Sequence, residues 1–449
     1  MVRSTRREVL KVSGALLGGI AAGTTVTAAT STDRYIVQTR GRGLPDGVDV
    51  VHEMPGTNLA VVTGDESALQ AAKGVREFAP DIELELNEPA TNADVPSFDA
   101  SEYEGQPGDF LQWDKADLDV PAAHETTEGE GTRVAVIDSG VLETHPDLAG
   151  PLNVDLSRNF TDDGGDHNPV GGDDHGTHVA GIVAADNGGG IGVNGTAPET
   201  DLVDCRVFSE GGGASFADIL AAVVYSANVD ADVANLSLGA YPVPRQTNGQ
   251  FYGKVLNSAM TYANKEGTLL VIAAGNDSAD LQHDRNFVSL PNEGAQALSV
   301  SATGPIGYGW DADGDGDATD LADPPESPAF YTNYGTNAVT LGAPGGDADP
   351  AAIGTDVPWF NDLVFNTVFS YEDTDGDGEP DTQVPGYGWK AGTSMAAPNV
   401  AGAAALVKSA NPDYNANQVE AALKNAADVP DGYDKAFYGS GYLNILDAL

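Results

Sequence analysis

The sequence runs to 449 residues, 41% of them hydrophobic, which suits one large packed domain with a smaller companion and excludes a disordered chain. With 21 basic against 68 acidic side chains the formal charge is −47, which excludes duplex nucleic acid and anionic membranes as partners. Such a surface repels itself unless screened; at about 1 M salt the screening length is roughly 3 Å, so most of the Asp and Glu read as the solvated surface of a halophilic protein.

The N-terminus sets Arg6-Arg7 ahead of an uncharged Gly-, Ala- and Thr-rich stretch, Val12–Ala29, that ends in small residues. This pattern resembles a twin-arginine export signal, so residues 1–29 are expected to be cleaved, leaving no stable membrane span and a secreted product. Residues 30–106 read as a small α/β unit and linker: strands at Arg34–Thr39 and Leu59–Thr63, a helix at Ser67–Lys73, an extended run at Glu77–Leu86, and an exposed, Pro-containing linker at Asn87–Asp109. From 107 to 449 apolar runs alternate with helical patterns. Strands fall near 133–137, 201–207, 232–238, 269–274, 298–302 and 338–344, and helices near 178–186, 215–228, 252–266, 395–410 and 416–427. This alternation predicts an α/β fold, a three-layer parallel sheet with helices on both faces, with its site beyond the carboxyl ends of the strands. Gly304–Pro328 and Gly345–Gly388, rich in Asp, Gly and Pro, read as surface insertions. Cys205 is alone in the chain, so no internal disulfide forms, and its apolar run Leu202–Phe208 makes it a buried structural residue.

Three short blocks carry the chemistry. Asp138 closes the apolar run Val134–Ile137 and precedes Ser139-Gly140, which puts a carboxylate at the active edge of the sheet or simply at a turn. His175 and His178 lie in Asp174-His175-Gly176-Thr177-His178, at the mouth of a small-residue helix; no third ligand at metal spacing accompanies them. Ser394, in Gly392-Thr393-Ser394-Met395-Ala396-Ala397-Pro398, opens another helix, where a serine serves either as an N-cap or as an accessible nucleophile.

VAVIDSGV, HGTHVAG and GTSMAAP, in that order, resemble the signature blocks of the subtilisin family of serine proteases over about Gln112–Leu449. The resemblance implies a subtilisin-like fold and peptide-bond hydrolysis on polypeptide substrates, with Ser394 as nucleophile, His175 as base and Asp138 as its orienting carboxylate. It assigns His178 to structure and makes Asn276, in Ala273-Ala274-Gly275-Asn276, the oxyanion donor. Ser237, Leu238 and Gly239 would line the cleft that pairs with substrate, opposite an edge at Gly212, Gly213 and Ala214. Asp147 matches a calcium ligand of many relatives, and Asn187, in a loop one residue longer than usual, a second.

Independently of the resemblance, Asp311, Asp313, Asp315 and Asp320, and Asp373, Asp375, Asp377 and Asp381, space carboxylates around glycines as Ca²⁺ loops do. The twelfth positions are Ala322 and Val384, so neither is a full EF-hand. The unit Arg34–Leu86 resembles the family's inhibitory propeptides, an intramolecular partner of the cleft until it is removed, and the mature chain, a monomer, resembles secreted haloarchaeal subtilases with no further domain after Gly441-Tyr442-Leu443-Asn444. Two other readings stand beside this one. A non-catalytic calcium- or peptide-binding module on the same fold would have no need of Asp138, His175, Asn276 and Ser394 together, and a nucleotide-binding enzyme would carry a G-x-G-x-x-G or P-loop motif that the chain lacks.

Overall fold

The computed structural model describes residues 27–28, 33–41, 44–85, 89, 95–100, 111–188, 190–210, 213–244, 249–284, 286–314, 316–372 and 382–449. The leading unit comprises β1 (Thr27–Ala28), β2 (Arg34–Thr39), β3 (Val48–Met54), β4 (Leu59–Gly64), α1 (Glu66–Ala71), β5 (Val75–Pro80) and β6 (Ile82–Glu85). Strands β2 to β5 make an antiparallel sheet in the order β3-β4-β2-β5. Because side chains alternate along a strand, Val37 and Val62 join Tyr35 and Leu69 in a core of the unit's own, while Ile36 and Val61 point the other way, into the core of the main body. Asp65 caps α1 by accepting the Ser67 N–H at 2.8 Å. Strand β3 was not foreseen: its only sequence signal is the run Val48-Asp49-Val50-Val51, broken by a register shift near Val51.

The rest of the chain, in order, is β7 (Ser97–Asp99), α2 (Trp113–Asp117), α3 (Val120–Ala123), β8 (Arg133–Asp138), β9 (Arg158–Asn159), α4 (His175–Ala184), β10 (Asp201–Arg206), β11 (Gly213–Ser215), α5 (Phe216–Asn228), β12 (Val233–Leu236), β13 (Ala240–Pro244), α6 (Gly249–Glu266), β14 (Leu269–Ala273), β15 (Phe287–Leu290), β16 (Ala297–Thr303), β17 (Leu341–Pro344), β18 (Val364–Glu372), β19 (Thr382–Lys390), α7 (Thr393–Ala410), α8 (Ala416–Ala426) and α9 (Ile445–Ala448). Seven strands form the main sheet, ordered β17-β16-β14-β12-β8-β10-β9, with every neighbouring pair parallel. Its central strands are mainly apolar because both faces are covered. Val134 and Val136 of β8 pack with α4 and α7 on one side; Ala135 and Ile137 pack with α5 and α6 on the other. The expected α/β architecture is therefore present. After β8 the chain moves outward to β9 and β10, then returns to lay β12 on the other side of β8, so a crevice opens at their carboxyl ends.

Two expectations need correction. Much of Gly345–Gly388 is not a surface insertion: β18 and β19 form a long antiparallel hairpin whose Phe365, Tyr387 and Trp389 are buried in the main core. The linker is not simply exposed either, since β7 pairs antiparallel with β19 as the third strand of that hairpin sheet. In both places the Asp and Gly content masked the alternation of apolar residues. Among the described residues no helix is long and apolar enough to cross a membrane.

Candidate active site

The three blocks lie at the carboxyl edge of the main sheet, where Asp138 and His175 are in contact and Ser394 bonds the end of β12 through Ser237. Asp138 is the last residue of β8 and His175 the first of α4, and both are almost wholly buried. His175 Nδ1 lies 2.7 Å from Asp138 Oδ1. A carboxylate has no proton to give, so the imidazole donates through Nδ1, and Nε2 is the nitrogen with a lone pair to accept one. The same carboxylate oxygen accepts the Ser139 N–H at 2.7 Å, and Ser139 Oγ accepts the Gly176 N–H at 2.9 Å, tying the start of α4 to the end of β8. There is no room for a side chain at Gly176 unless the backbone shifts: a Cβ on it would fall 2.5 Å from the Gly140 carbonyl oxygen and 3.1 Å from Asp138 Oδ1.

Ser394 is the second residue of α7, at the positive end of a long helix. Its hydroxyl donates to the Ser237 carbonyl at 3.1 Å, and Ser237 Oγ donates back to the Ser394 carbonyl at 2.7 Å while accepting from Asn235 Nδ2 at 2.9 Å. Ser237 is thus both a cleft residue and a support for the serine turn, and Asn235 is a member of this network that sequence reasoning missed. Asn276 Oδ1 accepts both the backbone N–H and the hydroxyl of Thr393, each at 2.9 Å, which fixes its amide the other way round. A side-chain carbon on Gly392 would stand 3.5 Å from the Ser394 backbone nitrogen and 3.6 Å from Asn276 Nδ2. Two N–H donors therefore border one small space, and glycine leaves it open. Ser237, Leu238, Gly239, Asn276 and Ser394 line a single cleft, with Ser289 in its wall.

Gly213 and Ala214 form β11 as an edge across from that cleft; Gly212 lies outside the described residues. The edge is taken by the leading unit. Strand β6 pairs antiparallel with it, Leu84 opposite Ala214, and Leu84 is buried in the same apolar cluster as Leu238. Further along, Pro89 Cδ stands 3.6 Å from the position of that absent Gly392 carbon. Asp81 holds the unit in place by accepting the Ala217 N–H at 3.0 Å at the start of α5, and Arg34 bridges Asp81 and Asp218.

His178 is fully buried and bonds the Val364 carbonyl through Nε2 at 3.2 Å. Burial pushes its imidazole well below the usual range, so it stays neutral. A second Asp–His couple was not anticipated. His167 Nδ1 lies 3.1 Å from Asp204 Oδ2, which also accepts the Val141 N–H at 2.9 Å and so holds the turn that follows Asp138. Burial pushes the Asp204 carboxyl up to about 6. Burial also opposes a charged His167, but Asp204 and Glu143 overcome it and raise the imidazole as well. Beside this couple the buried Arg206 clamps Asp163 with two bonds, at 2.7 and 3.0 Å, and holds the Asp166 carbonyl.

The calcium candidates fare unequally. Asp147 is buried, with the 186–193 loop folded round it: its carbonyl accepts the Asp186 N–H and its Oδ2 accepts the Val193 N–H and the Tyr387 hydroxyl. Burial and the nearby Asp186 push its carboxyl up to about 6. A buried carboxylate is the kind of group that a hard cation would neutralise, although here its Oδ2 is already met by an N–H and a hydroxyl. Asn187 lies in that loop, on which Gly190 N–H closes a turn to its carbonyl. Asp311 instead accepts the Gly314 and Gly316 N–H groups, and among the described residues no three His, Cys, Asp or Glu side chains gather as a metal centre, Asp313 and Asp320 included. Asp315, Asp373, Asp375, Asp377 and Asp381 lie outside the described residues.

A family model described as the subtilase family matches residues 129–441. Subtilisin Savinase from Lederbergia lenta is 32% identical over 335 residues, 74% of this chain and 97% of its own. Halolysin from Haloferax mediterranei is 28% identical over 429 residues, 94% of this chain and 68% of its own. Among solved structures, a protease from Pseudoalteromonas arctica superposes with a TM-score of 0.60 at 28% identity, covering 76% of this chain and 97% of that one.

Proposed function

The chain belongs to the subtilase family and is a serine-type endopeptidase, and we propose that it cuts polypeptides with Ser394 as nucleophile, His175 as general base and Asp138 as the group that orients the base. His175 Nε2 takes the Ser394 proton as Oγ attacks the scissile carbonyl, then returns it to the leaving amine; Asp138 stabilises the imidazolium formed between the two events. The Ser394 N–H and the Asn276 amide hold the developing oxyanion, and the acyl-enzyme is then hydrolysed by water. The observation that carries this reading is the pair of donors converging on the open space at Gly392, beside a nucleophile at a helix start and on the same sheet edge as a 2.7 Å Asp–His couple. A binding module has no use for that combination.

The finer reading is a secreted, halophilic enzyme exported by a twin-arginine signal and stabilised by calcium. The acidic surface supports the halophilic element, as does similarity to a halolysin along 94% of the chain. Asp147 and Asn187 would hold Ca²⁺, whose chemistry there is to neutralise a buried carboxylate and staple the 186–193 loop to the 145–148 turn. The leading unit acts as an inhibitory propeptide, and support comes from β6, which occupies the strand edge that an extended substrate would use. A fluorophosphonate probe is expected to label the mature protein at Ser394, and Ser394→Ala to leave the precursor uncut in cells lacking other proteases. Labelling at another residue, or normal maturation of the variant, overturns the assignment.

A further inference from the structure

The chain between the leading unit and α2 touches the main body twice, in different ways. At Pro89, four residues past the end of the strand that pairs with the cleft edge, it lies close to the space bordered by the Ser394 N–H and the Asn276 amide. At Val95–Ala100 it is instead part of the main body. Ser97, Phe98 and Asp99 pair with Gly388, Tyr387 and Gly386, and the Ala100 N–H donates to the Pro385 carbonyl at 3.0 Å. Phe98 sets its ring edge against Trp389 at 5.5 Å, and Val95 and Ala100 pack on the core that holds α4 and α7. The hairpin is shaped for this strand: a Cβ on Gly386 would lie 2.5 Å from the Phe98 carbonyl oxygen.

We propose that Val95–Ala100 is a permanent strap of the mature enzyme, the third strand of the β18–β19 sheet, and that the cut releasing the leading unit falls on the N-terminal side of Val95. The inference rests on the propeptide reading above. Its physical basis is that the chain meets the catalytic centre before the strap, not after it, and that strap removal would bare a sheet edge and the Trp389 ring. The strap also acts on the site through the hairpin. The Gly386 carbonyl accepts from His145 at 3.0 Å, Tyr387 bonds Asp147, and Lys390 pairs with Asp174, the neighbour of His175, at 2.8 Å.

The test is the N-terminal sequence and intact mass of the form that a fluorophosphonate labels at Ser394, purified after maturation of the full chain. An N-terminus after Glu85, the last residue of the leading unit, and no later than Val95 is the expected result. A labelled form that begins beyond Ala100 overturns the strap and leaves the propeptide reading standing, whereas a labelled chain still carrying the leading unit overturns both. In the mature wild-type background, Gly386→Val is expected to shorten the half-life against autolysis by about tenfold, because the added side chain displaces the strap. An unchanged half-life would show that no strand is docked there and would also count against the strap.

Discussion

Gly176→Ala isolates how far catalysis depends on the seating of α4 against β8. The added carbon would stand 2.5 Å from the Gly140 carbonyl oxygen and 2.9 Å from its nitrogen, both backbone atoms with no rotamer to yield. Carbon–oxygen contacts relax at about 3.5 Å, so the helix start must move by about 1 Å relative to the strand end. Two stability terms compete. Alanine improves helix propensity by about 1 kcal/mol, and overpacking costs about 1–3 kcal/mol, which leaves a net loss of up to about 2 kcal/mol and a folded protein. The reacting groups feel the shift far more, because His175 is the adjacent residue and its bond to Asp138 is only 2.7 Å long. A misplacement of about 1 Å costs on the order of 10²-fold in turnover. Steady-state kinetics on a chromogenic peptide should therefore show kcat down about 100-fold with KM nearly unchanged, since the cleft is built from β12 and the turn after β14. Gly172→Ala, at a glycine with open space around it, is the control and should stay within about twofold of wild type. A Gly176→Ala enzyme within threefold of wild-type kcat would refute the claim that this contact sets the position of the base.

Further outcomes follow from other contacts. Asn276→Ala should lower kcat by about 10²–10³ with little change in KM, and Asn276→Asp should do no better, because it keeps the acceptor for Thr393 but puts an anion where the donor belongs; burst titration against turnover separates the two. Arg206→Met removes five hydrogen bonds, two of them to Asp163, and should cost about 2–4 kcal/mol in chemical denaturation. The Arg206 guanidinium holds the Asp163 carboxyl well below its usual range, so that stabilisation is complete above about pH 4 and disappears as pH falls further; the variant should lose this acid-side slope. Chelation of Ca²⁺ present at about 100-fold over its dissociation constant should reduce stability by about 2.7 kcal/mol, a response that Asp147→Asn abolishes in calorimetry. The neutral, buried His178 has its value depressed in the fold, so its contribution is whole above about pH 6.5 and shrinks as pH drops; His178→Gln should retain turnover while flattening that part of a thermal-stability profile.

The sequence by itself determined the central sheet, because strands such as Leu269–Ala273, buried on both faces, must be apolar without interruption, and that signal survives any composition. The resemblance of short blocks to subtilisin signatures also picked out Asp138, His175, Asn276 and Ser394, which the residues alone left open between turn, cap and catalytic roles. The sequence did not reveal the hairpin β18–β19 or strand β7. Strand β7 pairs with β19 from hundreds of residues away, and the acidic, glycine-rich flanks of all three strands resemble solvated loops until Phe365, Trp389 and Phe98 are seen together. The Asp204–His167 couple was hidden for a related reason: an aspartate inside an apolar run looks like an interruption, and only the neighbouring strand shows that it faces the turn after Asp138. Local chemistry is written in consecutive residues, but which carboxylate, edge or ring a residue meets is set by the closure of the chain on itself. The tertiary structure alone could assign the leading strand to the cleft and the strap to the hairpin.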